Sequence, residues 1–142
     1  MFGKESDDNA RIQQLAKLDR FKDFSDDEIK MVVAKSTYLT VPEGWALMAE
    51  NTPADKAYLI LSGEVSVRRG GAEVAVVGAG DLIGEMALVN HKLRSATVVT
   101  QTPLEALHFT SENVSDLNAK IPHFNDALAG ATEERLKRDQ GD

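Results

Sequence analysis

The spacing of hydrophobic residues changes near residue 36, where helix-like periods give way to strand-like ones. Before that point, "ARIQQLAKL" and "FSDDEIKMVVAKS" carry apolar residues three and four positions apart, which is typical of one helix face. Asp8 or Asn9 is predicted to cap the first helix. Ser25 and Glu28 have the spacing of a capping box at the start of the second. We therefore predict helical structure over residues 8–35.

Residues 36–110 consist of short apolar and β-branched runs separated by glycine and proline. The runs are "STYLTV", "WALMAE", "KAYLILS", "EVSVRR", "EVAVVG", "SATVVTQ" and "LEALHF". Such short runs with this punctuation are typical of antiparallel strands. Gly70 and Gly71 can both adopt positive φ, which predicts a two-residue hairpin. The fold class is therefore predicted to be mainly β with flanking helices, an antiparallel β-sandwich or jelly roll of about eight strands.

A helical pattern returns over residues 111–138 and predicts a C-terminal pair of helices. In the last segment one apolar stripe is formed by Ile121, Phe124, Leu128 and Ala131. The stripe is short for a strong two-fold helix pairing, so we expect a monomer or a weak homodimer. Neither an internal repeat nor a linker is evident, and a length of 142 residues is typical of one domain. We predict a single domain over residues 1–142.

Charge and composition narrow the classes of partner. The formal net charge is −7, and an acidic chain repels both nucleic-acid phosphates and anionic membranes. Neither is therefore an expected partner. The absence of cysteine excludes disulfides and thiolate metal sites, and the charged N-terminal segment lacks an apolar signal core. A cytoplasmic location is the expectation. Arg68 and Arg69, together with Lys56, are interpreted as charges that protect an edge strand.

The stretch "GDLIGEMALVNHKLRSATV", residues 80–98, carries the candidate chemistry. A helical turn beginning at "GEMAL" would direct free N–H groups outward, and such groups bind anions. Arg94 can add a charge-assisted contact to a phosphate. Glu85 accepts hydrogen bonds and suits a sugar hydroxyl. Together these groups favour a ligand that holds a phosphate and a hydroxyl close together, as a cyclic nucleotide does on one ribose.

The segment "GEMALVNHKLRSATV" resembles the phosphate-binding cassette of the cyclic nucleotide-binding domain family. The segments "GDLIGE" and "AYLILSGEVSV" and the terminal helices extend this resemblance over nearly the whole chain. The resemblance implies that Glu85 accepts a hydrogen bond from the ribose 2′-hydroxyl and that Arg94 binds the exocyclic phosphate oxygens. It also implies a cradle of backbone N–H groups from Gly84, Met86, Ala87, Ser95 and Ala96.

Some positions depart from the family pattern or leave the ligand open. Leu93 stands where proline is common, and Asn51 stands where glycine is common. Asparagine tolerates the left-handed region that glycine would supply there. The Ser95 hydroxyl can donate to a phosphate or accept from the amine of guanine. Ser95 therefore allows both ligands. Because no second acceptor specific for guanine is evident, cyclic AMP is the preferred ligand and cyclic GMP remains an alternative. A surface salt bridge between Glu85 and Arg94 is the simplest non-binding explanation.

The function that these features favour is a cyclic-nucleotide sensor, a regulatory domain without catalysis or cofactor. Ligand occupancy would shift the C-terminal helix and so signal to an unknown protein partner. Two alternatives stay open: a ligand-binding fragment of a larger transcription factor, kinase or transporter, and a degenerate module acting only through protein–protein contacts. A metal-dependent enzyme on a β-barrel is not expected, because His91, His108 and His123 are far apart in the sequence.

Overall fold

The structure, a computed structural model, describes residues 3–84, 92–122 and 124. Helix α1 (Gly3–Ala16), a 3₁₀ turn (Asp19–Phe21) and helix α2 (Asp26–Ala34) precede the strands. The strands are β1 (Thr37–Val41), β2 (Ala46–Met48), β3 (Ala57–Ser62), β4 (Val65–Arg69), β5 (Ala72–Val77), β6 (Leu82–Ile83), β7 (Thr97–Thr100) and β8 (Leu104–Phe109). Helix α3 (Ser111–Lys120) follows β8. Within these residues, every helix is too short or too polar to serve as a membrane span.

The two N-terminal helices differ in how well their starts could be predicted. Helix α1 already begins at Gly3, so the predicted cap at Asp8 or Asn9 is wrong. The polar residues before Asp8 include no proline, and acidic residues in a first turn interact favourably with the helix dipole. At α2 the predicted capping box is confirmed. Ser25 Oγ accepts from the N–H of Glu28 at 3.1 Å, and Glu28 Oε1 accepts from the N–H of Ser25 at 2.9 Å.

The strands form two four-stranded sheets, ordered β1-β8-β3-β6 and β2-β7-β4-β5. All pairings between the named strands are antiparallel. The predicted antiparallel sandwich of about eight strands is therefore confirmed. The hairpin between β4 and β5 is also as predicted, because Gly70 and Gly71 have φ values of +58° and +84°. Strand β6 was not among the predicted runs, since two residues cannot show an alternating pattern.

Strand β3 is buried on both of its faces. Ile60 of β3 points between the two sheets, where Val67, Val98 and Ala106 also pack. The adjacent Leu59 points to the opposite face and joins a second cluster formed with the helices. The helical side of that cluster includes Leu15, Val32, Leu117, Ile121 and Phe124. Burial on both faces explains why "AYLILS" is a nearly continuous apolar run. Ile121 and Phe124 of the predicted stripe are thus buried, whereas Leu128 and Ala131 lie outside the described residues.

Glu105 on β8 joins helix α1 to the strands through polar contacts. Its carboxylate accepts hydrogen bonds from the Tyr38 hydroxyl, from Ser62 Oγ at 2.8 Å and from Gln14 Nε2 at 3.2 Å. The hydrogen bond from Tyr38, followed by those from Ser62 and Gln14, lowers the pKa of the Glu105 carboxyl. The Arg11 guanidinium lies 3.5 Å from the centroid of the Tyr38 ring. Helix α1 is therefore held against β1 through Arg11 and against β8 through Gln14.

Candidate functional site

The two ends of the stretch predicted to bind a ligand meet at Gly84 and Arg94. Strand β6 leads into Gly84, and Arg94 lies shortly before β7. Arg94 Nη1 donates a hydrogen bond to the carbonyl oxygen of Gly84 at 2.7 Å. Residues 85–91, which include the predicted site residues Glu85, Met86 and Ala87, lie outside the described residues. The structure therefore shows both ends of this stretch, called below the loop of residues 80–98, and the arginine that joins them.

The loop between β2 and β3 holds the backbone of Arg94. The N–H of Arg94 donates to the carbonyl of Thr52 at 2.8 Å, and its own carbonyl accepts from the N–H of Asn51 at 2.8 Å. Pro53 and Leu93 form an isolated antiparallel bridge beside these bonds. Asn51 has a φ of +67°, so it adopts the left-handed region that the sequence predicted it to tolerate. These contacts fix where the Arg94 side chain starts.

The guanidinium of Arg94 is buried, and its partners among the described residues are mainly backbone carbonyls. Only 3% of the side chain is exposed. Besides Gly84, Nη2 donates to the carbonyl of Lys56. The carboxylate oxygen of Asp55 lies 3.9 Å from Nη2, but Asp55 is 79% exposed, so the ion pair contributes little. Among the described residues, this carboxylate is the one ion-pair partner found for the arginine.

Burial lowers the pKa of Arg94, while the neighbouring Tyr58 and Asp55 act to raise it. An arginine nevertheless stays protonated in proteins. A buried cation is costly unless an anion compensates it. The described surroundings of Arg94 therefore favour an additional anion at the guanidinium.

Gly84 makes the close approach of the guanidinium possible. The residue has a φ of +82°, and a Cβ at this position would lie 2.5 Å from Arg94 Nη1 and 2.9 Å from Met48 Cε. Both distances are shorter than real Cβ contacts allow. A side chain would also be strained at this φ. Gly84, the glycine of "IGE", is thus required for two reasons. A side chain there would collide with the Arg94 guanidinium, and it would be strained at this φ.

Ser95 and Ala96 follow Arg94 directly, and Arg69 of β4 contacts Ser95. Arg69 Nε donates to the Ser95 carbonyl at 3.1 Å, and Arg69 Nη2 donates to Ser95 Oγ at 3.4 Å. The interpretation of Arg68 and Arg69 as edge-strand charges is wrong, because β4 lies inside its sheet between β7 and β5. Ser95 is exposed, whereas Ala96 is buried between the sheets.

Two further contacts, which the sequence did not predict, surround the base of the loop. Tyr58 on β3 lies near Arg94, and burial, followed by the charge of Asp55, raises the pKa of its phenol. Asp81, just before β6, is 3% exposed. Its carboxylate forms an ion pair of 2.9 Å with Arg20 of the 3₁₀ turn. The N-terminal helical segment is thus connected to the start of the loop.

Comparison with known proteins gives a family match over the strands and α3. The profile of the cyclic nucleotide-binding domain matches residues 38–120. The chain is 28% identical over 122 residues to the cyclic AMP receptor protein of Thermus thermophilus, covering 82% of this chain and 56% of that protein. It is 34% identical over 97 residues to glutaminase 2 of Bradyrhizobium diazoefficiens, covering 68% of this chain and 15% of that protein.

A solved structure supports the same assignment. A cyclic nucleotide-binding domain from Methylobacillus flagellatus superposes with a TM-score of 0.72 at 27% identity, covering 96% of this chain and 84% of that one. The two curated relatives are longer proteins, of which this chain spans about half or less. The similarity therefore concerns the domain and does not transfer the activity of either whole protein.

Proposed function

The chain belongs to the cyclic nucleotide-binding domain family, and from this premise we propose that it binds cyclic AMP as a regulatory domain without catalysis. The observation that carries the proposal is the buried guanidinium of Arg94 at the base of the loop. Two of its donor groups are held by the carbonyls of Gly84 and Lys56. A guanidinium has five N–H donors, so others can contact the exocyclic phosphate oxygens.

The remaining ligand contacts are proposed from the same loop, residues 80–98. Glu85 accepts a hydrogen bond from the ribose 2′-hydroxyl. The negative phosphate is cradled by the backbone N–H groups of Gly84, Met86, Ala87, Ser95 and Ala96. The structure describes three of these residues, Gly84, Ser95 and Ala96, and their positions support the proposal. Gly84 contacts Arg94, and Ser95 and Ala96 directly follow Arg94 in the chain. No cofactor is needed for binding alone.

Cyclic AMP is proposed in preference to cyclic GMP. The cyclic AMP receptor protein of Thermus thermophilus is similar to this chain over 82% of the length of this chain. In addition, the Ser95 hydroxyl already accepts a hydrogen bond from Arg69. Its proton is then available to a ligand acceptor such as a phosphate oxygen. The guanine amine would instead have to share the oxygen as a second donor.

A thermal melt tests the proposed function. A ligand at about 100 times its dissociation constant stabilises the folded state by about 2.7 kcal/mol. For a domain of this size, that corresponds to a rise of about 5 to 10 °C in the melting temperature. We expect this rise with cyclic AMP, a smaller one with cyclic GMP at the same concentration, and little with 5′-AMP, whose phosphate is not held in a ring. Equal shifts with cyclic AMP and 5′-AMP would contradict the proposal.

Ligand binding is further proposed to shift the C-terminal helix. Ile121 and Phe124 are buried in the cluster that also contains Leu15 of α1. The Arg20–Asp81 ion pair connects the N-terminal segment to the start of the loop. A change at the loop therefore has a contact path to the helices. We also propose that the chain is cytoplasmic, that it is a monomer or a weak homodimer, and that it signals to an unknown protein partner.

Amide hydrogen exchange tests the proposed helix shift. With saturating cyclic AMP, we expect added protection in residues 82–97, where the ligand binds, and also in residues 122–137, where the helix would order or move. Exchange without ligand is the reference. Protection confined to residues 82–97 would contradict the switch and leave a nucleotide binder without this response.

The second candidate function is that of a ligand-binding part within a larger regulator. The observation that favours it is the coverage of the relatives, since the chain spans 56% of the cyclic AMP receptor protein and 15% of glutaminase 2. The nucleotide site would be the same in both candidates. They differ in whether the response is passed to a separate protein or to another domain.

A further inference from the structure

We propose that Arg69 is a positioning residue for the phosphate cradle, which it serves by fixing the peptide group between Ser95 and Ala96. This inference rests on the proposed function and extends it to a residue outside the loop of residues 80–98. Its observation is the two-point contact already described, with Nε on the Ser95 carbonyl at 3.1 Å and Nη2 on Ser95 Oγ at 3.4 Å.

The peptide geometry links this contact to the ligand. In a planar trans peptide, the C=O of one residue and the N–H of the next point in opposite directions. Fixing the Ser95 carbonyl toward Arg69 therefore fixes the Ala96 N–H on the side away from Arg69. A cationic donor on the carbonyl also polarises the peptide group, which strengthens its N–H as a donor. The Ala96 N–H is one of the groups proposed to cradle the phosphate.

The backbone that carries Arg69 is itself held in place. Strand β4 pairs with β7, with Arg68 opposite Thr97. The N–H of Gly70 donates to Glu50 Oε1 at 3.0 Å, and the N–H of Glu50 donates to Thr97 Oγ1 at 2.9 Å. The end of the β4–β5 hairpin is thus connected to β2 and β7. Arg69 therefore acts from a fixed position on the peptide group between Ser95 and Ala96.

Arg68 supplies a matched control on the same strand. Its Nε donates to Ser66 Oγ at 3.0 Å, and that hydroxyl donates to Glu73. None of these contacts involves residues 92–96. Arg68→Ala removes the same charge one residue away, so it reports any general electrostatic effect on ligand binding. Arg69→Ala removes that charge and the contact with Ser95 together.

The test compares cyclic AMP affinity by calorimetry for wild type, Arg69→Ala, Arg69→Lys and Arg68→Ala. We expect Arg69→Ala to weaken binding about three- to tenfold, the range for a lost hydrogen bond. Arg68→Ala should change it less than about twofold, as for a distant surface charge. Arg69→Lys should restore only part of the loss, because lysine lacks the planar fork that spans two acceptors. Equal losses in Arg69→Ala and Arg68→Ala would overturn the inference.

The amide signal of Ala96 separates positioning from a structural role. In wild type, cyclic AMP should shift the Ala96 amide proton downfield in a proton–nitrogen NMR spectrum. In Arg69→Ala this shift should be reduced while the melting temperature of the free protein stays unchanged. An unchanged ligand-induced shift overturns the inference even if wild type binds cyclic AMP. Absence of cyclic AMP binding by wild type overturns the proposed function and this inference together.

Discussion

Replacement of Arg94 by alanine is expected to weaken cyclic AMP binding by about 30-fold to several-thousand-fold, the cost of truncating one partner of a buried charge pair. The side chain is 3% exposed, so the contact with a phosphate would be formed in a site with little water. Arg94→Lys should restore only part of the affinity. Lysine keeps the charge, but it loses the planar group that can bond the Gly84 carbonyl and a phosphate oxygen at once.

Calorimetric titration with cyclic AMP measures this effect, with folding checked separately. Alanine at position 94 would also leave the carbonyls of Gly84 and Lys56 without their donor. Each variant is therefore melted first, and affinities are compared only below its melting transition. Arg68→Ala serves as the control for loss of a positive charge. Equal affinities of folded wild type and folded Arg94→Ala would contradict the proposed role.

The second large effect is expected for Gly84→Ala, which should weaken cyclic AMP binding about tenfold or more. The new Cβ would lie 2.5 Å from Arg94 Nη1, so the guanidinium has to move from its place. Tenfold corresponds to about 1.4 kcal/mol, and a displaced cation loses more than one contact. The backbone strain of a non-glycine residue at a φ of +82° adds a separate cost in stability of about 1–3 kcal/mol.

Gly44→Ala is the matched control for that strain. Gly44 has a φ of +85°, nearly that of Gly84, but a Cβ there meets no atom within 4 Å. Both variants should lower the melting temperature, whereas only Gly84→Ala should lower the affinity for cyclic AMP in calorimetry. If the two variants bind cyclic AMP equally well, the close contact of Gly84 with Arg94 has no role in the site.

The sequence predicted the parts of the fold that depend on local patterns. Short apolar and β-branched runs separated by glycine and proline were sufficient for seven of the strands, and paired glycines were sufficient for the turn at Gly70 and Gly71. The capping box at Ser25 was sufficient for the start of α2. Strand β6 was not predictable in this way, because its two residues are defined by pairing with Tyr58 and Leu59.

The site was predictable in its residue types and not in its contacts. Arg94 was identified from the motif, but its burial depends on carbonyls 10 and 38 residues away in the chain. The interpretation of Arg69 failed for a similar reason, since the order of strands in a sheet decides which strand is an edge. The tolerance of Asn51 for positive φ could be predicted, because it is an intrinsic property of the residue.

The most direct test of the central proposal is a calorimetric titration of the wild-type chain with cyclic AMP. We expect saturable binding with one nucleotide per chain, which is lost or strongly weakened in Arg94→Ala under the same conditions. A folded wild-type chain that gives no saturable heat with cyclic AMP at several temperatures would contradict the proposal that the site around Arg94 binds this nucleotide.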